Sequence, residues 1–157
     1  MKAIILAAGL GTRLRPLTNA IPKGMLPIRG KPLLEYLVDN LKEYGITDIG
    51  MNLFHLPDII TDYFGNGEKK GIKLTFRKEE ILLGTSGAIN QFRDWIDKED
   101  FLVVYGDNYF HLDYNNLFDR FDKTPESIAT VCLQHSKVLT GKGLVVINRN
   151  GAITAFV

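Results

Sequence analysis

The chain has 157 residues, of which 45% are hydrophobic and 24% are charged. These proportions are typical of a globular protein and exclude a disordered or fibrous chain, and we predict a single domain over residues 1–157. The 19 basic and 18 acidic residues nearly balance, which excludes the strongly basic surface expected of a nucleic-acid-binding domain.

The predicted elements alternate between strand and helix. An apolar run over residues 2–8 is typical of a strand buried on both faces. In chain order we predict strands over residues 2–8, 46–53, 72–77, 101–105 and 127–134, separated by helices over residues 33–44, 57–64 and 84–96 and around residues 117–121. Asn150-Gly151 between two apolar runs predicts a hairpin. Because the strands are joined through helices, we expect an α/β fold with a mostly parallel sheet.

The hydropathy pattern gives no reason to expect membrane insertion. The apolar stretch at the start is shorter than a signal-peptide core, and no apolar run reaches the roughly 18 residues of a membrane span. The single cysteine, Cys132, cannot form an internal disulfide and lies in an apolar run. We therefore expect a buried, inert thiol and a cytoplasmic protein without a membrane partner.

The most informative segment is the glycine-rich loop that follows the first predicted strand. Gly9 and Gly11 leave backbone N–H groups unshielded, so this turn can wrap a polyanion. Arg13, Arg15 and Lys23 bring three cationic donors to the same neighbourhood. The spacing fits neither the P-loop pattern nor the dinucleotide fingerprint. It predicts a phosphate-binding loop of another type.

Two later motifs accompany this loop. The loop reads Gly9-Leu-Gly-Thr-Arg-Leu-Arg-Pro-Leu-Thr18 and is followed by Pro22-Lys23; the later motifs are Leu83-Gly-Thr-Ser-Gly-Ala88 and Tyr105-Gly-Asp107. In this order they resemble the signature of the sugar-1-phosphate nucleotidyltransferases, with a departure at Gly24, where the family usually has a second proline. The resemblance implies a three-layer, Rossmann-like fold with helices on both faces of the sheet. It also implies a longer protein, of which this chain would be the N-terminal portion without its C-terminal sugar-binding part.

The resemblance assigns the chemistry to three side chains. Arg13 would grip the triphosphate, because its planar fork matches phosphate oxygens, and Lys23 would place a point charge near the α-phosphate. Asp107 would hold a Mg²⁺ ion that bridges phosphate oxygens. The alternatives are solvated loop cations and a turn-forming aspartate. The implied nucleotide-binding residues are Ala8, Gly9, Gly11, Thr12, Arg13, Glu79, Gly84, Thr85 and Gly87.

Glu79 occupies the position at which the family places a side chain that reads the base. A carboxylate only accepts hydrogen bonds, so it suits the donors of guanine, uracil or thymine better than the edge of adenine. We favour guanine, and hence GTP. Glu80 competes for this role, and a solvated acidic pair is the alternative.

The expected activity is nucleotidyl transfer from a nucleoside triphosphate to a sugar 1-phosphate, which yields a nucleoside-diphosphate sugar and pyrophosphate. Two alternatives stay open. One is a non-catalytic nucleotide-binding regulatory domain or an inactive fragment. The other is a cytidylyl- or uridylyltransferase that acts on a non-sugar phosphate such as phosphocholine. The sequence does not identify the sugar and leaves a homo-oligomer open, and His111 is either a lining residue of a sugar pocket or an ordinary loop histidine.

Overall fold

Four parallel strands form the central sheet of the computed structural model, which describes residues 1–109, 112–135 and 143–157. His111 lies outside these residues. The sheet belongs to a first compact unit, Met1–Asp113. The strands of this unit are β1 (Lys2–Leu6), β2 (Pro27–Ile28), β3 (Lys31–Pro32), β4 (Asp48–Leu53), β5 (Lys73–Lys78) and β6 (Phe101–Tyr105). Its α-helices are α1 (Leu33–Glu43), α2 (Pro57–Phe64), α3 (Gly84–Asn90) and α4 (Arg93–Ile96).

The strand order in the sheet is β5-β4-β1-β6. The chain first adds strands on one side of β1 and then crosses to place β6 on the other side, so the order reverses between β1 and β6. In open parallel sheets, ligands bind beyond the carboxyl ends of the strands at such a reversal. The short strands β2 and β3 form a separate antiparallel pair.

β1 is buried on both faces, as its apolar sequence predicts. Ile4 and Ile5 have no solvent exposure. Ile4 packs in a cluster with Phe92 and Ile96, which lie on the α3–α4 side. Ile5 faces the opposite side, where it lies beside Leu34 of α1. Helices therefore cover both faces of the sheet, which confirms the predicted three-layer α/β fold.

In the second compact unit, Tyr114–Val157, the described residues (114–135 and 143–157) form one helix and one hairpin. The helix is α5 (Tyr114–Asp122), and the hairpin pairs β7 (Val145–Ile147) with β8 (Ile153–Phe156) in antiparallel register. The hairpin confirms the prediction from Asn150-Gly151. The chain thus divides into two compact units, and their union in one domain over residues 1–157 stays a prediction.

Three local expectations were wrong. Residues 127–134 form no strand, and the apolar side chains of Ile128 and Val131 are exposed. An apolar run forms a strand only where it pairs with a neighbouring strand and has a face to bury. Cys132 is likewise exposed and free. The helix predicted over residues 84–96 is interrupted between α3 and α4, where the fully buried Phe92 enters the core.

None of the helices formed by residues 1–109, 112–135 and 143–157 has the length and apolar character needed to cross a lipid bilayer.

Candidate functional site

A pocket of about 290 Å³ opens at the carboxyl ends of all four strands of the sheet. Ala8 and Gly9 line it after β1, and Asn52 lines it near the end of β4. Glu79 follows β5 and Asp107 follows β6. The fold thus brings together motifs that are distant in the sequence, at the edge where a parallel sheet binds ligands.

Lys23 and Asp107 form an ion pair on the wall of this pocket. Lys23 Nζ donates to Asp107 Oδ2 at 2.7 Å, and the two side chains are 26% and 45% exposed. Lys23 begins a one-turn 3-10 helix that ends at the buried Met25. The Gly106 N–H donates to the Leu6 carbonyl at 2.9 Å, which ties the backbone before Asp107 to the end of β1. Two of the three predicted catalytic residues are therefore in contact.

The glycine-rich loop packs against Lys23. Gly11 has a φ of 62°, a conformation that glycine adopts without strain. A Cβ atom at Gly11 would lie 3.2 Å from Cβ of Lys23 and 2.8 Å from Cγ2 of Thr18. The buried Thr18 hydroxyl donates to the Gly11 carbonyl at 2.9 Å, and His55 Nε2 lies 2.7 Å from the Thr18 carbonyl oxygen. The supporting contact from His55 was not predicted, because a histidine 37 residues from its partner leaves no local pattern.

Arg13 differs from the other two predicted catalytic residues. Its side chain is exposed, and within the described chain it has no hydrogen bond or ion pair. It lies in the 3-10 turn Thr12–Leu14, outside the pocket wall. Of the predicted nucleotide-binding residues, the wall contains Ala8, Gly9, Glu79, Gly84 and Thr85, whereas Gly11, Thr12, Arg13 and Gly87 do not line it.

Glu79 and Asn52 form a buried polar link on the wall of the pocket, which we call the Asn52–Glu79 bridge. They are 8% and 3% exposed. Asn52 Oδ1 accepts from the Ala7 N–H at 2.8 Å, and Asn52 Nδ2 donates to Glu79 Oε1 at 2.7 Å. Glu79 Oε2 accepts from the Leu83 N–H at 3.0 Å. Asn52 was not predicted, since a single asparagine near a strand end carries no signal until its neighbours in the sheet are known.

Asp107 is the residue that could hold a divalent cation. Magnesium is commonly bound by one or two carboxylates together with substrate phosphates and waters. Asp107 supplies one such carboxylate, partly exposed at the pocket. Within the described residues, no group of three or more His, Cys, Asp or Glu side chains could hold a metal ion by itself. These donors fit a magnesium ion that arrives with a nucleotide better than one held by protein groups alone.

Gly24, the departure from the family pattern, packs closely on α1. A Cβ atom there would lie 2.6 Å from Cγ of Leu34, so a larger residue would displace that side chain. The Met25 N–H still closes the turn by donating to the Pro22 carbonyl at 2.8 Å. The departure therefore leaves Lys23 in place.

Comparisons with known proteins find relatives along nearly the whole chain. The nucleotidyl transferase family model matches residues 2–157. The chain is 34% identical to a UTP–glucose-1-phosphate uridylyltransferase of Synechocystis sp., over 99% of this chain and 43% of that protein. It is also 34% identical to a D-glycero-alpha-D-manno-heptose 1-phosphate guanylyltransferase of Campylobacter jejuni, over 99% of this chain and 67% of that protein. The chain thus spans less than half of the first relative and two thirds of the second.

A solved structure shows the same fold over nearly the whole chain. HddC from Yersinia pseudotuberculosis, in complex with GMP-PN, superposes with a TM-score of 0.77 at 28% sequence identity. The match covers 99% of this chain and 68% of HddC.

Proposed function

The chain belongs to the nucleotidyl transferase family, and from this premise we propose that it carries the nucleotide-binding part of a sugar-1-phosphate nucleotidyltransferase. The reaction joins a nucleoside triphosphate to a sugar 1-phosphate and releases pyrophosphate. The observation that carries the proposal is the contact between Lys23 and Asp107 at the pocket where all four sheet strands end. A cation and a carboxylate side by side suit a triphosphate that binds with a metal ion.

Lys23 is proposed to act on the α-phosphate. An oxygen of the sugar 1-phosphate attacks the α-phosphorus, the bond to the β-phosphate oxygen breaks, and pyrophosphate leaves. Negative charge develops on the α-phosphate and on the leaving group, so catalysis depends on positioning and on nearby positive charge. Lys23 must exchange Asp107 for a phosphate oxygen. A partly exposed ion pair contributes only about 0.2–1 kcal/mol, so this exchange costs little.

Asp107 is proposed to hold magnesium. When bound, the ion neutralises charge on the phosphate oxygens and orients them. Asp107 contributes a carboxylate whose backbone is fixed to the end of β1 through Gly106. Lys23 keeps a compensating positive charge beside this carboxylate until the nucleotide and its magnesium ion bind.

The glycine-rich loop is proposed to surround the phosphates. Ala8 and Gly9 bring backbone to the pocket wall, where N–H groups can donate to phosphate oxygens. Arg13 is exposed one turn further along, and its long side chain can reach a triphosphate that extends out of the pocket. Gly84 and Thr85, at the start of α3, line the side proposed for the nucleoside.

GTP is the proposed first choice of nucleotide. The support comes from the Campylobacter relative, which is named a guanylyltransferase, and from HddC, whose structure holds GMP-PN. Uridine and thymidine nucleotides are the next candidates, because other relatives are named uridylyl- and thymidylyltransferases. We place the reaction in the cytoplasm, as the sequence led us to expect.

Measurement of pyrophosphate release tests the proposed function. The protein is assayed with magnesium and each of GTP, UTP, dTTP, CTP and ATP, with glucose 1-phosphate, a heptose 1-phosphate or phosphocholine as acceptor. We expect release that requires both a triphosphate and a sugar 1-phosphate, with the highest rate for GTP. Pyrophosphate release that requires phosphocholine would show that the acceptor is a non-sugar phosphate. Triphosphate binding without any pyrophosphate release would support a regulatory domain.

A further inference from the structure

The Asn52–Glu79 bridge has a fixed hydrogen-bond direction. Backbone N–H groups stand at its two ends, from Ala7 and from Leu83. An asparagine offers one acceptor oxygen and one donor group, so the Asn52 oxygen must face Ala7 and its amide must face Glu79. The partner of Asn52 must then accept hydrogen bonds on both of its oxygens. An ionised carboxylate does this, and a neutral amide cannot.

The bridge joins the start of the glycine-rich loop to the residue that precedes α3, and both segments line the pocket. Ala7 follows β1 and leads directly into the glycine-rich loop, whereas Leu83 immediately precedes Gly84 at the start of α3. The bridge connects these two segments through the side-chain hydrogen bonds of Asn52 and Glu79. With it, the phosphate side and the nucleoside side of the pocket are held at one separation.

The segment between Glu79 and α3 has a buried acid and exposed apolar side chains. The carboxylate of Glu79 points inward and is buried, while Ile81, Leu82 and Leu83 are 69%, 49% and 38% exposed. This reverses the usual placement of polar and apolar groups. The segment is therefore held by its buried carboxylate and presents Leu82 to the pocket.

We propose that Glu79, acting with Asn52, is a positioning residue that sets the distance between the phosphate-binding loop and the nucleoside-binding segment. This inference rests on the proposed nucleotide-binding function, and it differs from the base-reading role expected from the sequence. Both carboxylate oxygens of Glu79 already accept hydrogen bonds from the protein. The bridge is therefore expected to act on every nucleoside triphosphate alike, because Asn52 and the Leu83 N–H occupy the two oxygens of Glu79.

The direction of the bridge allows a test by exchange of its two side-chain types. In Glu79→Gln, the NH2 group of the introduced amide must face either the Asn52 amide or the Leu83 N–H. Two donors then face each other, and one hydrogen bond of the bridge is lost. In Asn52→Asp, two carboxylates face each other. In the double variant N52D/E79Q, the carboxylate at position 52 accepts from Ala7 and from the amide at position 79, whose oxygen accepts from Leu83. The full set of hydrogen bonds and the net charge are restored with the direction reversed.

The experiment measures KM and kcat for GTP, UTP and dTTP in the wild type, the two single variants and the double variant. We expect each single variant to raise KM about tenfold for all three triphosphates, with the ratios among bases unchanged. The double variant should return to within about threefold of the wild type. If E79Q changes the ratios among bases and the double variant does not recover, Glu79 reads the base and the proposal is overturned.

Thermal unfolding of the same four proteins separates this inference from the proposed function. Each single variant should lower Tm by about 3–8 °C and the double variant should recover most of the loss. Additive losses in Tm would show that the bridge does not form, and would overturn the inference whatever the activity. If Tm recovers but the wild type turns over no triphosphate, the proposed function has failed and the positioning role fails with it, whereas the bridge itself stands.

Discussion

At the scale of single residues, Asp107 combines an ion pair with partial exposure at the pocket. It pairs with Lys23 at 2.7 Å and stays 45% exposed. A fully buried carboxylate would be costly to separate from its cation, whereas a partly exposed one exchanges partners at little cost. The position therefore suits a metal ligand that must engage and release a substrate-bound ion.

Asparagine at position 107 should impair the magnesium-dependent step. Asp107→Asn removes a negative charge and one strong oxygen ligand, so we expect kcat to fall about 100-fold or more and half-saturation to require more magnesium. The measurement is a magnesium titration of pyrophosphate release. Asp62→Asn, which changes an exposed aspartate of α2, is the matched control and should behave like the wild type. An unchanged magnesium dependence in Asp107→Asn would remove this residue from the metal site.

At the scale of elements, β4 approaches the helical layer more closely than a side chain would allow. Gly50 of β4 pairs with Ile4 of β1, and a Cβ atom at Gly50 would lie 2.6 Å from Cε1 of Phe92. The ring also packs edge-to-face with Trp95, with centroids 5.6 Å apart. Phe92 thus fills the space left by the glycine and fixes the segment between α3 and α4 on the sheet.

Alanine at position 50 should strain this contact. Gly50→Ala forces the Phe92 ring to move, and we expect the free energy of unfolding to fall by about 1–3 kcal/mol in urea titrations. Phe92→Leu makes room for the new methyl group, so the double variant should lose less than the sum of the two single losses. Strict additivity of the three values would show that the two positions do not contact each other.

A second inter-element contact joins α1 to α2 through Glu35. Lys70 Nζ donates to Glu35 Oε1 at 2.6 Å, and the Tyr63 hydroxyl donates to Glu35 Oε2. Burial raises the pKa of Glu35, but the hydrogen bonds from Lys70 and Tyr63 outweigh it and leave the pKa below its usual value. The hydrogen bond to Glu35, together with burial, raises the pKa of Tyr63 to about 12.

This contact should make stability depend on pH. Because the Glu35 pKa is lowered by folding, its contribution is present above the unfolded value of about 4.3 and is lost as pH falls through the folded value. Tyr63→Phe removes one of the lowering hydrogen bonds. We expect this variant to be less stable than the wild type by about 1 kcal/mol at neutral pH and to lose less stability on acidification. Urea titrations at neutral pH and near pH 3 check both points, and parallel losses in the two proteins would contradict the assignment.

At the scale of the whole molecule, the parallel sheet could be predicted because strands such as β1 and β6 have apolar sequences that the rest of the chain buries. The predicted strands over residues 2–8 and 101–105 are apolar except for Lys2 and lead into glycine-containing loops, and the structure forms β1 and β6 there. Residues 127–134 carry a similar pattern but form no strand. Strand formation there depends on a neighbour that the local sequence does not specify.

The site was predictable to the extent that it depends on residue type. Lys23 and Asp107 belong to recognisable motifs, and they meet at the strand ends. The contact of Asn52 with Glu79 depends on β4 lying beside β5 in parallel register, with Asn52 opposite Arg77. That information belongs to the three-dimensional arrangement, so the Asn52–Glu79 bridge could be found only in the structure.

In the proposed function, the pocket at the carboxyl ends of the sheet binds a nucleoside triphosphate through Lys23. The most direct test is a calorimetric titration of the protein with GTP in the presence of magnesium. It compares the wild type with Lys23→Ala and with Lys69→Ala, a control at an exposed lysine distant from Lys23 in the sequence. We expect Kd to rise at least about tenfold in Lys23→Ala, because a charge-assisted contact to phosphate is lost, and to be unchanged in Lys69→Ala. Equal affinities for GTP in the wild type and Lys23→Ala would show that Lys23 does not bind the nucleotide.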